Sequence, residues 1–355
     1  MFNTMTHPNR DIDRARGCLW GLAVGDAVGT TKEFSQPDQP DFPALATGPQ
    51  VDLVGGGPFA LPVGAVTDDT QMAVCLARAV AANRRHPVDE AAALYVTWMH
   101  GAFDVGNQTR AALSAIARGA SPHEAGHQVW EQSGRNAAGN GSLMRIAALA
   151  AGYAMAGNEL GATMHGAMAD SAITHADPRC QLACASYAAA IWVALRRGAD
   201  ASAMMTAARA ALGEPRAAGA SAHESDAGWD AARAALLEDL DAAAADNPRL
   251  DRAPTHLHQA AGFVRVAYRY AFWHLLHTAD WRAAILDAAN RGGDADTNAA
   301  IIGALLGARD GIAAIPADWL AKVQRATLPG PAAWAEAHHP RHLELVLERA
   351  LTWQP

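Results

Sequence analysis

Residues 290–298, with the sequence NRGGDADTN, contain the side chains of this chain that are best suited to bind a metal ion. The Gly-Gly pair permits backbone angles that other residues rarely adopt. The turn can therefore direct Asp294, Asp296 and the Thr297 hydroxyl toward one point. Hard oxygen ligands that converge in this way suit Mg2+ or Mn2+. A structural interpretation is the alternative, because Asp and Thr are also common N-cap residues of helices.

A second acidic cluster, TDDT, occupies residues 67–70. It also precedes an apolar run with helical spacing, residues 72–80. Asp68 and Asp69 raise the number of candidate carboxylates to four. Four such charges in one place would repel one another and raise each other's pKa. Two divalent cations would balance them, so the two clusters together predict a binuclear metal site.

Two further acidic residues lie in loops beside predicted helices. Glu33 follows a glycine-rich helix and precedes a proline-rich loop. It is either a functional residue held by a rigid helix or a solvated loop charge. Asp104 lies in the loop 103–109 and is either a turn residue or a site residue.

A Gly/Asn-rich loop ends in the small residues Asn140, Gly141 and Ser142. It leads into an apolar helix predicted at 143–156. Exposed backbone N–H groups and the positive end of a helix dipole suit an anion such as phosphate. His175 lies in a Ser/Thr/Asp/Pro turn between two apolar helices. It is either a capping or packing residue or a side chain that faces a cleft.

The elements that position these residues are predicted to be helices. Alanine is abundant and strand-like alternation is scarce, which favours an all-α fold. In the first predicted helix, 13–28, glycines recur at positions 17, 21, 25 and 29 and share one face. This spacing predicts that another backbone packs very close to the helix. Asp26, in the same helix, is either a buried structural residue or a partner of the functional residues.

We predict a single compact domain over residues 1–355. Residues 1–11 are predicted to be a loose tail. Residues 212–258 mix Gly, Pro, Ser and acidic residues with an alanine-rich stretch, and are predicted to be a partly helical surface insertion. Other helices are predicted at 70–84, 88–100, 110–118, 181–196, 262–277, 281–289 and 299–308.

The composition limits the classes of function. Of the 355 residues, 50% are hydrophobic and 18% are charged, so the chain can bury a large core. The net charge of -8 argues against a nucleic-acid partner, which favours a basic surface.

The cysteines and the apolar runs indicate a compartment. The four cysteines form no Cys-x-x-Cys motif and are interpreted as buried free thiols in a reducing cytoplasm. The N-terminal residues lack the apolar core of a signal peptide. No apolar run approaches the roughly 20 residues that cross a bilayer. We therefore expect a cytoplasmic protein with no membrane association.

Together, these motifs resemble those of the ADP-ribosylglycohydrolase family. The matching stretches are GCLWGLAVGDAVGTTKEF at 17–34, GAVTDDTQMA at 64–73, GNGSLMR at 139–145, SAITHADP at 171–178, NRGGDADTNAAIIGALLGA at 290–308 and GIAAIPADW at 311–319. They follow in family order over nearly the whole chain, apart from the tail and the segment 212–258. The paired TDDT and GGDADT motifs are the most specific part of the resemblance.

The resemblance implies a compact, monomeric, orthogonal multi-helix fold with a binuclear Mg2+ or Mn2+ centre. The metal ligands that it implies are Thr67, Asp68, Asp69, Asp294, Asp296 and Thr297. It also implies that the loop with Glu33 opens or closes over the metals.

The family pattern further implies substrate contacts. The backbone of residues 140–142 would hold a diphosphate and the distal ribose, with His175 nearby. Glu33 or a metal-linked Asp such as Asp69 would accept the proton of the attacking water. Asp104 matches the loop in which arginine-directed members place an acidic residue near the scissile bond.

The expected activity is metal-dependent hydrolysis of the N-glycosidic bond between ADP-ribose and an arginine of a modified protein, with ADP-ribose as the product. Two alternatives stay open. The conjugate could instead be serine-linked ADP-ribose, O-acetyl-ADP-ribose or an ADP-ribosylated nucleic-acid end. The protein could also be a non-catalytic ADP-ribose-binding or structural member, although all six expected ligand positions are filled.

Overall fold

The computed structural model describes residues 8–213 and 225–352, which form helices joined by loops. These two ranges contain no β-strand, which confirms the predicted all-α class. The α-helices are α1 (Pro8–Gly29), α2 (Asp68–Ala82), α3 (Val88–Met99), α4 (Asn107–Ala117), α5 (Pro122–Gln132), α6 (Ala147–Met155), α7 (Leu160–Thr174), α8 (Pro178–Arg197), α9 (Ala201–Gly213), α10 (Asp226–Ala243), α11 (Val264–His277), α12 (Trp281–Arg291), α13 (Ala295–Asp310), α14 (Ala317–Gln324), α15 (Ala332–Ala337) and α16 (Leu345–Thr352). Short 3-10 helices lie at Thr30–Lys32, Ile312–Ala314 and Pro340–Glu344. Among the described helices, none combines the length and the apolar character needed to cross a membrane.

Helices α1 and α13 lie in backbone contact at the centre of the fold. A Cβ atom added at Gly21 would lie 2.2 Å from the carbonyl oxygen of Gly303, and one added at Gly25 would lie 2.2 Å from that of Ala299. A similarly close approach to α13 holds for the other two glycines of the series, Gly17 and Gly29. The structure therefore shows the close backbone contact that the glycine spacing predicts. Any side chain on this face of α1 would force the two helices apart.

The neighbouring helices bury this pair. The C-terminal end of α1 and the N-terminal end of α13 lie close together. Helix α13 is buried from Ala295 to Ala308, and it packs against α8, α11 and α12 as well as α1. Helix α12 ends just before the turn that carries Asp294, and α1 ends just before Glu33. The loops with predicted site residues thus start from helices that are fixed in the core.

Several helix boundaries differ from the predictions: α13 begins at Ala295 and not at 299, and two further differences follow. Helix α1 begins at Pro8, so residues 8–11 are helical and not part of a loose tail; a proline is well tolerated in a first helical turn. Residues 1–7 lie outside the described residues. The helix predicted at 143–156 begins only at Ala147.

Residues 141–146 form successive turns in place of the first turns of the predicted helix, and the Arg145 side chain binds one of their carbonyls. The carbonyl of Gly141 accepts a hydrogen bond from the guanidinium of Arg145 at 3.1 Å. In a helix, that carbonyl would accept from the backbone N–H four residues later. The anion site expected at a helix N-terminus is therefore a loop of successive turns, several residues before the helix.

The described part of the segment 212–258 is partly helical, and one face of its helix α10 packs against the core while much of the rest is exposed. Helix α10 buries three large side chains, Trp229, Leu236 and Leu240. Its Asp239 is fully buried and pairs with Arg265 at 2.6 Å and with Arg269 at 2.5 Å, both on α11. The alanine-rich composition obscured an apolar stripe with helical spacing. Residues 214–224 of the segment lie outside the described ranges.

The packing of α1 against α13 predicts a difference between two glycine substitutions. Gly21→Ala places a methyl group against the Gly303 carbonyl and should lower the free energy of unfolding by about 2 kcal/mol or more. Gly161→Ala is the matched control, since a Cβ atom there meets nothing within 4 Å, and it should be neutral or stabilising by up to about 1 kcal/mol. Urea unfolding measures both changes, and equal effects of the two substitutions would contradict the close contact.

Candidate functional site

The last turns of α1 place Asp26 at the start of α2. Its carboxylate accepts hydrogen bonds from the backbone N–H groups of Thr67 and Thr70 at 3.1 Å, and from their hydroxyls at 2.9 and 2.5 Å. Burial raises the pKa of Asp26 to about 6, although these hydrogen bonds oppose the shift. Asp26 therefore fixes the turn that carries the TDDT motif.

Carboxylates from distant parts of the chain meet beside this turn in two groups. Oxygen atoms of Asp26, Asp69 and Asp296 lie within 4.8 Å of one another. Oxygen atoms of Glu33, Asp294 and Asp296 do the same. Because Asp296 belongs to both groups, the two acidic clusters of the sequence form one continuous site.

The other predicted metal ligands lie around these groups. The hydroxyl of Thr67 lies 2.9 Å from a carboxylate oxygen of Asp26 and 3.0 Å from one of Asp69. Asp68 and Thr297 line the cleft described below. The pKa of Asp68 is raised well above its usual value by burial and then by the negative charges of nearby carboxylates, Asp104 first among them.

The electrostatics of the cluster favour a bound cation. Burial, followed by the charges of neighbouring carboxylates, raises the pKa values of Asp69 and Asp296 well above the usual range. The Oδ1 atom of Asp69 is buried, and no described residue gives it a hydrogen bond. Such an oxygen is costly to bury unless it binds a proton or a cation. The carboxylate and hydroxyl oxygens present here therefore fit a divalent cation that prefers hard ligands.

Glu33 is buried and is not a solvated loop charge, with only 5% of its surface exposed. Its Oε2 atom accepts hydrogen bonds from the backbone N–H groups of Ala295 at 2.6 Å and of Asp296 at 3.1 Å. Glu33 thus caps the N-terminus of α13. Burial, and then the charge of Asp294, raises the pKa of Glu33 to about 9.

The turn before α13 has positive φ angles, which glycine adopts readily and which the sequence led us to expect here. Gly292 and Gly293 have φ values of 71° and 73°. The turn pairs with the Glu33 loop, since Phe34 N–H donates to the Gly293 carbonyl and Gly293 N–H donates to the Ser35 carbonyl, both at 2.8 Å. This pairing holds Glu33 against the start of α13.

A cleft of about 280 Å3 opens over the cluster. In the wall of the cleft, Asn140 lies between the acidic cluster and the glycine loop. Its side-chain amide donates a hydrogen bond to Asp294 at 2.7 Å. Beyond Asn140, Gly139 and Gly141 lie against the His175 ring. The predicted site residues that line the cleft are Glu33, Asp68, Asp104, Asn140, Gly141, His175, Asp294, Asp296 and Thr297.

Three predicted site residues lie behind this wall. Thr67 and Asp69 are buried beneath the cleft; the Thr67 hydroxyl lies 3.0 Å from Asp69, and oxygen atoms of Asp69 and the lining residue Asp296 lie within 4.8 Å of one another. The Ser142 hydroxyl is also buried, and it accepts a hydrogen bond from Ser171 at 2.9 Å. Its side chain therefore faces the protein interior.

Asp104 and Gln108 connect the loop before α4 to the site. The pKa of Asp104 is raised by burial, and its own charge contributes to the raised pKa values of Asp68 and Asp294. This interaction places the Asp104 carboxylate near the acidic cluster. The Oε1 atom of Gln108 accepts a hydrogen bond from Gly139 N–H at 3.1 Å, so the α4 side chain holds the glycine loop.

Sequence reasoning missed Gln108 and Arg145. Arg145 is fully buried, pairs with Asp170 at 2.9 Å, and holds both Gly141 and the hydroxyl of Thr174 at 3.0 Å. An arginine within the apolar segment 143–156 could have been recognised, because buried arginines are rare and usually paired. Gln108 carried no comparable signal.

Arg145 and Thr174 lie in a chain of hydrogen-bonding groups that ends at the His175 ring. The Thr174 hydroxyl accepts a hydrogen bond from Arg145 at 3.0 Å and lies 2.8 Å from the Nδ1 atom of His175. We predict that this hydroxyl donates to Nδ1, which would place the ring proton on Nε2, the atom beside Gly141. Burial, and then the charge of Arg145, lowers the pKa of His175 to about 3. In this tautomer, the ring is a neutral hydrogen-bond donor toward the cleft.

This arrangement predicts the tautomer of His175. At neutral pH, the 15N NMR shifts of its ring should show a protonated Nε2 and an unprotonated Nδ1. Thr174→Val removes the hydroxyl and should shift the population toward the other tautomer, whereas Thr174→Ser should keep the original pattern. A protonated Nδ1 in the unsubstituted protein would show that the proposed order of hydrogen bonds, from Arg145 through Thr174 to His175, is wrong.

Comparisons with known proteins agree with this geometry. A family model described as ADP-ribosylglycohydrolase matches residues 7–350. The ADP-ribosylarginine hydrolase Tri1 of Pseudomonas putida (strain GB-1) is 31% identical over 324 residues, which cover 89% of this chain and 76% of that protein. The ADP-ribosyl-[dinitrogen reductase] glycohydrolase of Rhodospirillum rubrum is 28% identical over 318 residues, covering 88% of this chain and 90% of that protein.

A solved structure has the same architecture. It is described as an ADP-ribosylglycohydrolase-related protein complex and is 28% identical in sequence, with a TM-score of 0.68. The match covers 96% of this chain and 99% of that chain. The likeness confirms the fold expected from the sequence motifs.

Proposed function

Because this chain belongs to the ADP-ribosylglycohydrolase family, we propose that it removes ADP-ribose from modified proteins by hydrolysing an N-glycosidic bond to arginine. The observation that carries the proposal is the joining of two carboxylate groups through Asp296 at the floor of a cleft with a glycine loop in its wall. The names of the relatives from P. putida and R. rubrum support the reaction, and the former supports arginine as the linkage.

We propose two divalent cations, Mg2+ or Mn2+, at this site. Asp68, Asp69, Asp294 and Asp296 supply four negative charges for their four positive ones, and the hydroxyls of Thr67 and Thr297 add neutral oxygen ligands. When bound, such ions supply the positive charge that orients ribose hydroxyls and activates water. Asp26 acts as a positioning residue, because its oxygen atoms already accept hydrogen bonds from the TDDT turn.

Residues of this chain bind the substrate, accept a proton and contact the leaving group. The backbone of Asn140 and Gly141 binds the diphosphate, and His175 donates a hydrogen bond from Nε2. Glu33 takes up the proton that water releases, which requires an ionised carboxylate; the proposed cations would favour that form by balancing the nearby charges of Asp294 and Asp296. Asp104 pairs with the guanidine that leaves from the ribose.

We also propose that the protein acts as a monomer in the cytoplasm. The monomeric state is what the resemblance of the sequence motifs to the family implies. All four cysteines are free and buried, which suits a reducing compartment.

Removal of divalent cations should abolish hydrolysis. Dialysis against a chelator should remove the activity, and Mg2+ or Mn2+ should restore it. Asp296→Asn should weaken Mn2+ binding, measured by calorimetry, by about tenfold or more, because Asp296 is shared by both carboxylate groups. Asp318→Asn, in an exposed carboxylate of α14, is the matched control and should bind Mn2+ normally. Full activity of the chelated protein would contradict the metal-dependent reaction.

The role of Asp104 predicts a linkage-dependent loss. Asp104→Asn should slow release of ADP-ribose from an arginine-linked conjugate by about 100-fold or more, because the leaving guanidine loses its partner. Arginine-linked, serine-linked and O-acetyl conjugates should be assayed side by side, with ADP-ribose quantified by chromatography. Faster turnover of a conjugate other than the arginine-linked one would overturn the proposed linkage. Binding of ADP-ribose without turnover of any conjugate would identify a binding protein.

A further inference from the structure

Three phenylalanines form a connected group at the mouth of the cleft, here called the aromatic rim: Phe34, Phe59 and Phe103. The ring centroids of Phe34 and Phe59 are 6.1 Å apart, and those of Phe59 and Phe103 are 5.4 Å apart. Phe34 is 65% exposed and Phe103 is 37% exposed, while Phe59 is partly buried. Exposed aromatic side chains that contact one another are typical of binding surfaces.

The rim is continuous with the candidate site. Phe34 lines the cleft and directly follows Glu33, and Phe103 directly precedes Asp104, which also lines it. Phe59 comes from a third segment, which is fixed beside the Glu33 loop because the Thr31 hydroxyl donates to the Gly55 carbonyl at 3.1 Å. Three separate segments therefore bring aromatic rings to the opening above the acidic cluster.

The backbone holds Phe34 in solvent at an energetic cost. Its φ value of 60° lies in the left-handed region, which is unfavourable for a bulky residue. The hydrogen bonds between residues 34–35 and Gly293 keep it there. Strained residues that persist at the edge of a site indicate a function for the side chain they present.

Charge and shape at the opening indicate the kind of partner. Phe34 lines the cleft together with Asp104, a carboxylate outside the set that the proposed cations balance, so the opening combines apolar surface with negative charge. A polypeptide segment with a cationic residue and apolar neighbours is complementary to this combination. The ADP-ribose part of a substrate would occupy the polar interior of the cleft.

We propose that the aromatic rim binds the polypeptide on either side of the modified arginine, with apolar side chains of the substrate packed against Phe34 and Phe103. The proposal rests on the proposed hydrolase function. It makes the rim a determinant of which modified arginines are released, separate from the groups that act on the sugar.

The test compares three probes. Two are synthetic peptides with a single ADP-ribosylated arginine, flanked by leucines in one and by serines in the other; the third is ADP-ribosylated arginine amide. The unsubstituted protein should prefer the leucine peptide over the serine peptide by about tenfold in kcat/KM, mainly through KM. In Phe34→Ala and in Phe103→Ala the preference should fall toward unity, whereas Phe103→Tyr, which keeps the ring, should retain it.

The outcomes separate the two proposals. If the unsubstituted protein hydrolyses arginine amide but shows no preference between the peptides, the rim proposal is overturned and the hydrolase function stands. If both alanine variants lose activity equally on all three probes, the rim serves the cleft itself and the proposal is likewise wrong. If the unsubstituted protein hydrolyses none of the probes, the proposed function fails, and the rim proposal with it.

Discussion

The backbone contact between α1 and α13 is the constraint on which the rest of the structure depends. Glycines on one face of α1 meet the backbone of α13 without intervening side chains, and Gly29 lies against the first residues of α13. The contact brings the end of α1, with Asp26 and the loop to Glu33, directly beside Asp296. If a side chain separated the helices, the carboxylates would move apart by a comparable distance. The geometry of the acidic cluster is therefore set by how closely two helices pack.

This packing also explains how the fold tolerates so many buried carboxylates. Like charges at short range destabilise one another, and burial adds to the cost. Part of the cost is offset locally: Asp26 accepts hydrogen bonds from Thr67 and Thr70, and Glu33 accepts two from the first turn of α13. The Oδ1 atom of Asp69 has no such partner among the described residues. The remaining charge has to be neutralised by protons or by cations, which links the stability of the fold to the occupancy of the site.

Much of this arrangement could be predicted from the sequence, because some requirements leave a periodic or compositional trace. The glycines at every fourth position of α1 predicted the backbone contact. The TDDT and GGDADT motifs predicted that carboxylates from distant parts of the sequence meet. Other features leave no such trace. Nothing local distinguishes a glutamate that caps a distant helix, as Glu33 does, from a solvated one. The burial of α10 was hidden because its apolar side is made partly of alanines.

The start of α6 differs from the prediction at a place where a side chain makes tertiary contacts. Apolar periodicity begins at Leu143, and local propensity favours a helix from there. Arg145 instead donates to the carbonyl of Gly141 while pairing with Asp170. Residues 141–146 are turns, and the glycine loop lines the cleft. The same arginine contacts Thr174, which lies beside the His175 ring. One buried side chain therefore contacts both the glycine loop and the residue next to His175.

The cleft joins two regions with opposite electrostatic requirements. Asn140 donates to Asp294 at 2.7 Å, so the loop that we propose for the diphosphate lies in contact with the acidic cluster. His175 adds no positive charge, since its pKa lies far below neutrality, and Arg145 is paired with Asp170. A diphosphate beside unbalanced carboxylates would be repelled. Cations that balance the carboxylates therefore favour binding of the anion, and a bound anion favours the cations by the same free energy. In the proposed reaction, metal binding and substrate binding are coupled because only a few ångströms separate the two sites.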